Sequence, residues 1–422
     1  MQRLLLIPLF LFRIATVGAQ SPADTVRLTI PEAEKIFLQN NLSLLAAKYN
    51  IDANKALVSQ ARLWDNPMLI TDQNVYDGKF FRHTASNGQV YIQVQQLILT
   101  AGKRNKLVKM AQDNVVLSQI QFDELLRTLQ FTLRTDMLEA WRLIREKAEN
   151  RSQLDQLTTL TTGMEEVYKA GNVSLKELLR LKALLFALQS EMNNLQAQLI
   201  PVEDEIRLLL NDKDDKFILP EPGDRLLNGY SFSLPQADTL VNQALANRPD
   251  VKAEQTNLLL QQHNLSYQKA LAKPDITIGP EYDRLNSYQP NYIGLSVSMP
   301  LPVLNRNQGN IRAASINVKE QQTVVEQTGF SVSNEVRSVV AQVKNGQAMY
   351  NAARNQFTME YDTMFNNMMK SYRDRQISLL DLTDFIDSYK TTRLQALEQQ
   401  AALARLLAQL DYVTNSNVVP VD

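Results

Sequence analysis

Two stretches of the chain, from about Gly102 and from about Gly309, carry apolar side chains in steps of three and four on a polar background. In the first, Leu126, Leu129, Leu133, Met137, Ala140 and Ile144 mark the seam. In the second it is Val332, Val336, Val339, Val343, Gly346, Tyr350, Ala353 and Phe357. Steps of this kind give the narrow stripe of a coiled coil rather than the wide face of a globular core helix. Both stretches are rich in strong helix formers, and no proline falls between Pro67 and Pro201 or between Pro302 and Pro420. Each window has one interruption. Residues 169–174 offer Gly171 as a C-cap and Ser174 as the next N-cap, and residues 373–378 form the second break. A helix from Gly102 to Ala170 would approach roughly 100 Å at about 1.5 Å per residue. Such a rod spans something.

A second pattern has period two. Val90, Ile92 and Val94 alternate with Tyr91, Gln93 and Gln95 ahead of the first window. Ahead of the second, Ile293, Leu295, Val297 and Met299 alternate with Gly294, Ser296 and Ser298. These segments predict strands at about 88–99 and 292–299, with partners at about 69–76 and 275–283 and polar loops at 77–87 and 284–291. Length and alternation suit a membrane strand of ~9–11 residues with one face to lipid and one to water. A half-buried soluble hairpin alternates in the same way. Within lipid, four strands cannot close on themselves, because open edges leave backbone groups unpaired. Closure would take a cyclic oligomer sharing one barrel.

The two halves are copies of one another at offsets of 204 to 207. Leu38, Asn40, Leu44 and Ala46 pair with Leu245, Asn247, Val251 and Ala253, Pro67 with Pro274, and Tyr168, Ser174 and Leu178 with Tyr372, Ser378 and Leu382. Each copy reads helix, two strands, long helix, turn, long helix. The expected division is a signal peptide at 1–19, a first copy at 20–210, a connector at 211–235, a second copy at 236–415 and a tail at 416–422. Residues 1–19 begin with a basic start and an apolar run and end in Val17-Gly18-Ala19, the pattern of a secretory signal peptide. Their removal takes Arg3 and Arg13 and leaves 42 basic against 45 acidic residues.

Composition then removes most chemistry. The net charge of -1 gives no basic excess for nucleic acid. With no cysteine there are no disulfides, thiolate metal sites, cysteine nucleophiles or N-terminal lipidation, so the expectation is a protein that is not a lipoprotein. His83 and His263 are too few and too far apart for a multi-histidine metal centre. No nucleophile–base set or phosphate loop accompanies the many carboxylates, so an enzyme and a bound cofactor are not expected.

Several motifs fall in both halves: Arg248-Pro-Asp-Val-Lys-Ala, Lys273-Pro-Asp-Ile-Thr-Ile-Gly, Ala101-Gly-Lys-Arg, Tyr168-Lys-Ala-Gly-Asn-Val-Ser and Pro300-Leu-Pro-Val-Leu-Asn-Arg-Asn-Gln-Gly-Asn-Ile. Together they resemble the TolC family of outer-membrane efflux channels over essentially the whole mature chain. Residues 305–311 are similar to its CzcC/CusC-like branch, associated with heavy-metal resistance-nodulation-division (RND) pumps. The resemblance implies a mainly α fold with a transmembrane β-barrel portion. It implies a homotrimer with a 12-stranded barrel, a periplasmic coiled-coil tunnel, and a tip where a periplasmic adaptor and an inner-membrane RND-type pump dock. It also implies location in the outer membrane of a Gram-negative bacterium, in contact with its lipid.

By the same resemblance Tyr372, Asp381 and Asp384 stand at gate or selectivity positions, with Glu177 as an acidic partner from the first copy. Asp381 and Asp384, three apart, fall on one helix face, and threefold symmetry would make carboxylate rings of them that favour cations. The adaptor-docking tips correspond to Ala170, Gly171, Asn172, Val173 and Ser174, and to Arg375, Gln376, Ile377 and Ser378. Ile377 stands where some relatives have a gating arginine, and Arg375 where a glycine is expected. Met359, Met364, Met368 and Met369 cluster near the second tip. Thioethers suit soft metal ions, but methionine also fills gaps between helices. The leading functional expectation is a passive exit duct of a tripartite pump, carrying heavy-metal cations. Two others stay open: the same channel serving drugs or protein secretion, and a non-pore periplasmic coiled-coil protein.

Overall fold

A computed structural model describes residues 25–419 apart from 77, 85–86, 215, 222, 224–231 and 357–359. The expected signal peptide lies outside the described residues, as do Phe357, Met359 and part of the connector. Chain order is β1 (Thr25–Thr29), α1 (Ile30–Asn40), α2 (Leu42–Ala61), β2 (Met68–Gln73), β3 (Val90–Ile98), α3 (Lys103–Lys169) and α4 (Leu175–Leu210). There follow β4 (Phe217–Glu221), α5 (Ala237–Asn247), α6 (Pro249–Leu271), β5 (Ile276–Leu285), β6 (Pro290–Ser298), α7 (Gln308–Gln356), α8 (Glu360–Arg373) and α9 (Leu379–Thr414).

The 67 residues of α3 make a rod of about 100 Å. Its seam faces inward: Leu133, Met137 and Ala140 are buried, and so are Val332, Val336, Val339, Val343 and Tyr350 on α7. Gly346 lets α9 approach α7 closely, since a Cβ there would lie 2.8 Å from Leu406 Cδ1. α3 packs along α4, α2 and α6, while α7 packs along α6 and α9. The copies therefore interleave.

The helix before each hairpin is broken in the same way. Asn41, at φ -65° and ψ 121°, both closes α1 and caps α2, its side chain accepting from Leu44 N at 3.0 Å and donating to Leu209 O at 2.9 Å. Arg248, at φ -62° and ψ 131°, plays the same part between α5 and α6, with Pro249 in the first turn. Its buried guanidinium holds Asp250 Oδ2 and Glu335 Oε2, each at 2.6 Å, and donates to Val413 O.

The hairpins β2–β3 and β5–β6 join through β3 and β5 into one antiparallel sheet of order β2-β3-β5-β6. Gln93 stands opposite Glu281 and Leu97 opposite Thr277. Where strand and helix meet, two of the sequence motifs touch: Lys103 Nζ lies 2.7 Å from Asp275 Oδ2, and Asp275 Oδ1 accepts from Thr100 N at 2.8 Å.

Within residues 211–235, expected as a connector, β4 pairs in parallel with β1, Val26 opposite Ile218. Both strands are only five residues long, and although Val26 and Leu28 alternate with polar neighbours in β1, β4 does not alternate. Pro201 sits inside α4. An interior proline costs about 3 kcal/mol, and burial of Leu195, Leu199, Ile206, Leu209 and Leu210 on both sides of it outweighs that at ~1.5–3 kcal/mol per large side chain.

Candidate functional site

Both long-helix pairs turn at the end of the molecule away from the sheet, and the two turns share one backbone. In the first, Gly171 adopts φ +75°, with Gly171 N donating to Tyr168 O at 2.8 Å and Asn172 N to Val167 O at 3.1 Å. In the second, Arg375 adopts φ +56°, with Arg375 N donating to Tyr372 O at 3.0 Å and Gln376 N to Ser371 O at 2.8 Å. These paired bonds form the Schellman ending of a helix. A capping box follows in each. Glu177 N donates to Ser174 Oγ at 3.3 Å, and Glu177 Oε2 accepts from Ser174 N at 3.2 Å. Asp381 N donates to Ser378 Oγ at 3.2 Å, and Asp381 Oδ2 accepts from Ser378 N at 3.1 Å. The side-chain and backbone bonds from Ser378 hold the Asp381 carboxyl below its usual range.

A pocket of about 560 Å³ opens between the turns, walled by Met164, Val173, Glu177, Tyr372, Arg375 and Ile377. Tyr372 donates its hydroxyl to Met164 Sδ at 3.6 Å. Burial, with the Glu177 charge nearby, pushes the phenol up from its ordinary pKa. Tyr372 and Glu177, 195 residues apart in sequence, thus share one site. Ser378 and Asn172 also line it. Asp381 and Asp384 do not; both are exposed on α9. Ala170, Gly171 and Gln376 are exposed at the turns, while Ile377 packs against the tip core.

That core joins Leu157, Leu181, Leu382 and Phe365, with the Phe365 and Tyr389 rings 4.8 Å apart. Met164 and Met369 are buried in it and Met368 packs against it, whereas Met364 is exposed. Three methionines from the two tips therefore fill the packing between helices. Among the described residues no group of three or more His, Asp or Glu side chains is placed to hold a metal ion. His263 Nδ1 meets Asp113 Oδ2 at 2.5 Å, tying α6 to α3.

Sequence reading missed a belt of charge between the tip core and the cores nearer the sheet. Arg142 bonds Glu139 and Glu146, each at 2.6 Å; Arg405 bonds Glu139 and Glu398; and Lys390 Nζ lies 2.6 Å from Glu191, which accepts from the buried Asn150. The spacing 139, 142, 146 along one helix was the available signal. Below it Asp136 has a buried Oδ2 without a hydrogen-bond partner. Burial first, then the charges of Glu205 and Glu139, push its carboxyl up to about 7.

At the opposite end, the sheet has unlike faces. Ile92, Val94, Ile293, Leu295 and Val297 point to one side and are exposed, Ile293 by 77%. On the other side Gln93 is buried, donating to Glu281 Oε2 at 3.2 Å, and Gln95 donates to Gln93 Oε1 at 2.7 Å. β2 and β6 each lack a second strand partner among the described residues. No helix among the described residues is long and apolar enough to cross a membrane.

Comparison with known proteins agrees with this geometry. Residues 240–416 match the family model described as outer membrane efflux protein. Over 370 residues the chain is 21% identical to the cobalt-zinc-cadmium resistance protein CzcC of Cupriavidus metallidurans, covering 85% of this chain and 82% of that protein. The fold is similar to that of a membrane protein from Pseudomonas aeruginosa, with TM-score 0.75, 16% identity, and 91% and 93% of the two chains covered. It is likewise similar to CusC, with TM-score 0.74, 15% identity, and 92% of each chain covered.

Proposed function

We propose that this chain, an outer membrane efflux protein of the TolC-like kind, conducts heavy-metal cations as the exit duct of a tripartite pump. The observation that carries the reading is the sheet: an exposed apolar face, a hydrogen-bonded polar face and two open edges, above helices of 67 and 49 residues. A strand edge in lipid needs a partner. Three copies would give twelve strands in one closed barrel, with the apolar face to lipid and the Gln93 face to a wet lumen. Below it the helices would form a tunnel through the periplasm. At its far end the turns at 170–174 and 375–378 would receive an adaptor, and an RND-type pump would supply the energy.

The metal cargo is supported by the likeness to a protein named for cobalt, zinc and cadmium resistance. It is also supported by charge: Asp381 and Asp384 are exposed on one helix, and the hydrogen bonds from Ser378 hold the Asp381 carboxyl below its usual range. Repeated three times around an axis they would attract cations. The Tyr372–Glu177 pocket would supply the constriction, with the α8–α9 turn moving against the α3–α4 turn.

The test is deletion together with reconstitution. Loss of the gene should lower tolerance to cobalt, zinc or cadmium, and the purified chain should run as a heat-modifiable trimer and conduct in planar bilayers. Conductance with unchanged tolerance to all three metals would remove the metal cargo and favour drugs or polypeptides, which accumulation and secretion assays on the same strain separate. Absence of conductance and of a trimer would leave a non-pore coiled-coil protein.

A further inference from the structure

The chain passes between sheet and helix four times, and all four crossings lie at one end of the sheet because both hairpin loops lie at the other. Residues 62–67, 99–112, 269–275 and 299–312, which make the crossings, hold nine lysines and arginines against two aspartates, a net +7 in a chain of net -1. Lys103 is buried against Asp275. By contrast Arg62, Lys109, Lys269, Lys273, Arg306 and Arg312 are exposed, and among the described residues none has a carboxylate partner. At the hairpin end, residues 74–89 hold one aspartate, one lysine and one arginine, and residues 286–289 hold no charge. The asymmetry is strong.

Apolar side chains stand among these cations. Leu63, Trp64, Leu301 and Val303 are exposed, and Leu304 is exposed by 90%. The Arg104 guanidinium lies 3.9 Å above the Trp64 ring. Aromatic and aliphatic bodies edged by cations suit the boundary where acyl chains meet headgroups. The level also fits, since the collar directly borders the exposed apolar face of the sheet.

We propose that this basic collar binds anionic phospholipid headgroups of the leaflet on the helix side of the membrane, with Trp64, Leu301 and Leu304 seated among the upper acyl methylenes. The proposal rests on the outer-membrane reading above. Cations held at a membrane surface attract anionic lipid, and salt screens the attraction. The collar would fix the depth of the barrel and select the lipids around it.

Trp64 is itself the reporter, because the chain has two tryptophans and Trp141 is buried. A Trp141→Phe protein in mixed micelles is titrated with brominated phosphatidylglycerol or brominated phosphatidylcholine, and quenching of Trp64 is read. Phosphatidylglycerol should associate about fivefold more strongly at about 50 mM salt, and the preference should fall below about twofold at about 500 mM. The triple variant Lys109→Gln, Arg306→Gln, Arg312→Gln should lose the preference at low salt while still being quenched by both lipids. A second protein, Leu295→Trp with Trp64→Phe and Trp141→Phe, reports the sheet face alone. If that reporter is quenched but Trp64 is quenched equally by the two lipids, the collar has no headgroup preference and the proposal falls while the membrane reading stands. If it is quenched and Trp64 by neither, a neighbouring copy covers the collar, and the proposal again falls alone. If it is not quenched, the membrane reading falls and takes the collar with it.

Discussion

At the first tip the left-handed turn residue is Gly171, and at the second it is Arg375, at φ +75° and +56°. Asn211 and Asn415 end α4 and α9 at φ 51° and 47°, and Gly102 and Asn307 precede α3 and α7 at φ 66° and 59°. The copies thus keep the left-handed backbone at these three turns, with asparagine in both at one of them and a different residue in each copy at the other two. Glycine makes a left-handed turn without strain and asparagine with little, whereas arginine pays about 1–2 kcal/mol. The hydrogen bonds at the Arg375 turn match those at Gly171, so the packed helices on either side hold it in place. Drift in sequence is tolerated where the surrounding structure over-determines the backbone.

If that is right, the strongest effect should come from the packing that does the determining. Leu382→Ala, in the fully buried centre of the tip core, should destabilise the tip by about 2–5 kcal/mol. Its counterpart Leu178→Ala should cost a similar amount, and hydrogen exchange at the ends of α3, α4 and α9 reads both. Exchange unchanged in either variant would mean that local turn chemistry governs the tips. Swapping the turn residues is the next test. Arg375→Gly should stabilise the second tip by about 1 kcal/mol, and Gly171→Ala should destabilise the first by about as much. A change of the same sign at the two sites would break the comparison. Third, Ser174→Ala and Ser378→Ala should each cost roughly 1 kcal/mol, seen as faster exchange in the first turns of α4 and α9.

The effects of pH have opposite signs in two places. Asp381 has a depressed carboxyl, so its contribution is present above the ordinary carboxylate value of about 3.9 and is lost only as pH falls below it. Protection of the second tip should be flat from neutral pH down to about 5. Asp136 is raised to about 7, so its contribution is fully present below about 3.9 and is lost as pH rises through 7. Its counterpart in the second seam, at an offset of 206, is the exposed, uncharged Gln342. Asp136→Asn should therefore flatten the fall in melting temperature between about pH 4 and 7. An unaltered slope would show that Asp136 does not titrate there.

Much of the molecule is legible in its amino-acid pattern. The seam positions Leu133, Met137, Val336 and Val343 are buried, and the period-two residues Ile92, Val94, Leu295 and Val297 share one exposed face. Both capping boxes can be read from Ser174-x-x-Glu177 and Ser378-x-x-Asp381. The site is legible only in parts. Tyr372 and Glu177 can be named by resemblance, but their common pocket with Met164 depends on how two helix pairs lie against each other. Asp136 gives no signal, because its raised pKa comes from desolvation and from Glu205 on another helix.

The sequence by itself determined the period of each element, the places where the chain turns and the doubling of the unit, because helix and strand periodicities and caps are set by residues within a few positions of one another. Only the tertiary structure decided that β3 pairs with β5, that β1 pairs with β4, that α4 runs through Pro201, and that charge fills the layer between the cores. Those choices join residues as far as 266 positions apart, as in the Glu139–Arg405 pair, and no local pattern encodes them. They are settled by which apolar faces and polar groups remain to be satisfied once every local element has formed.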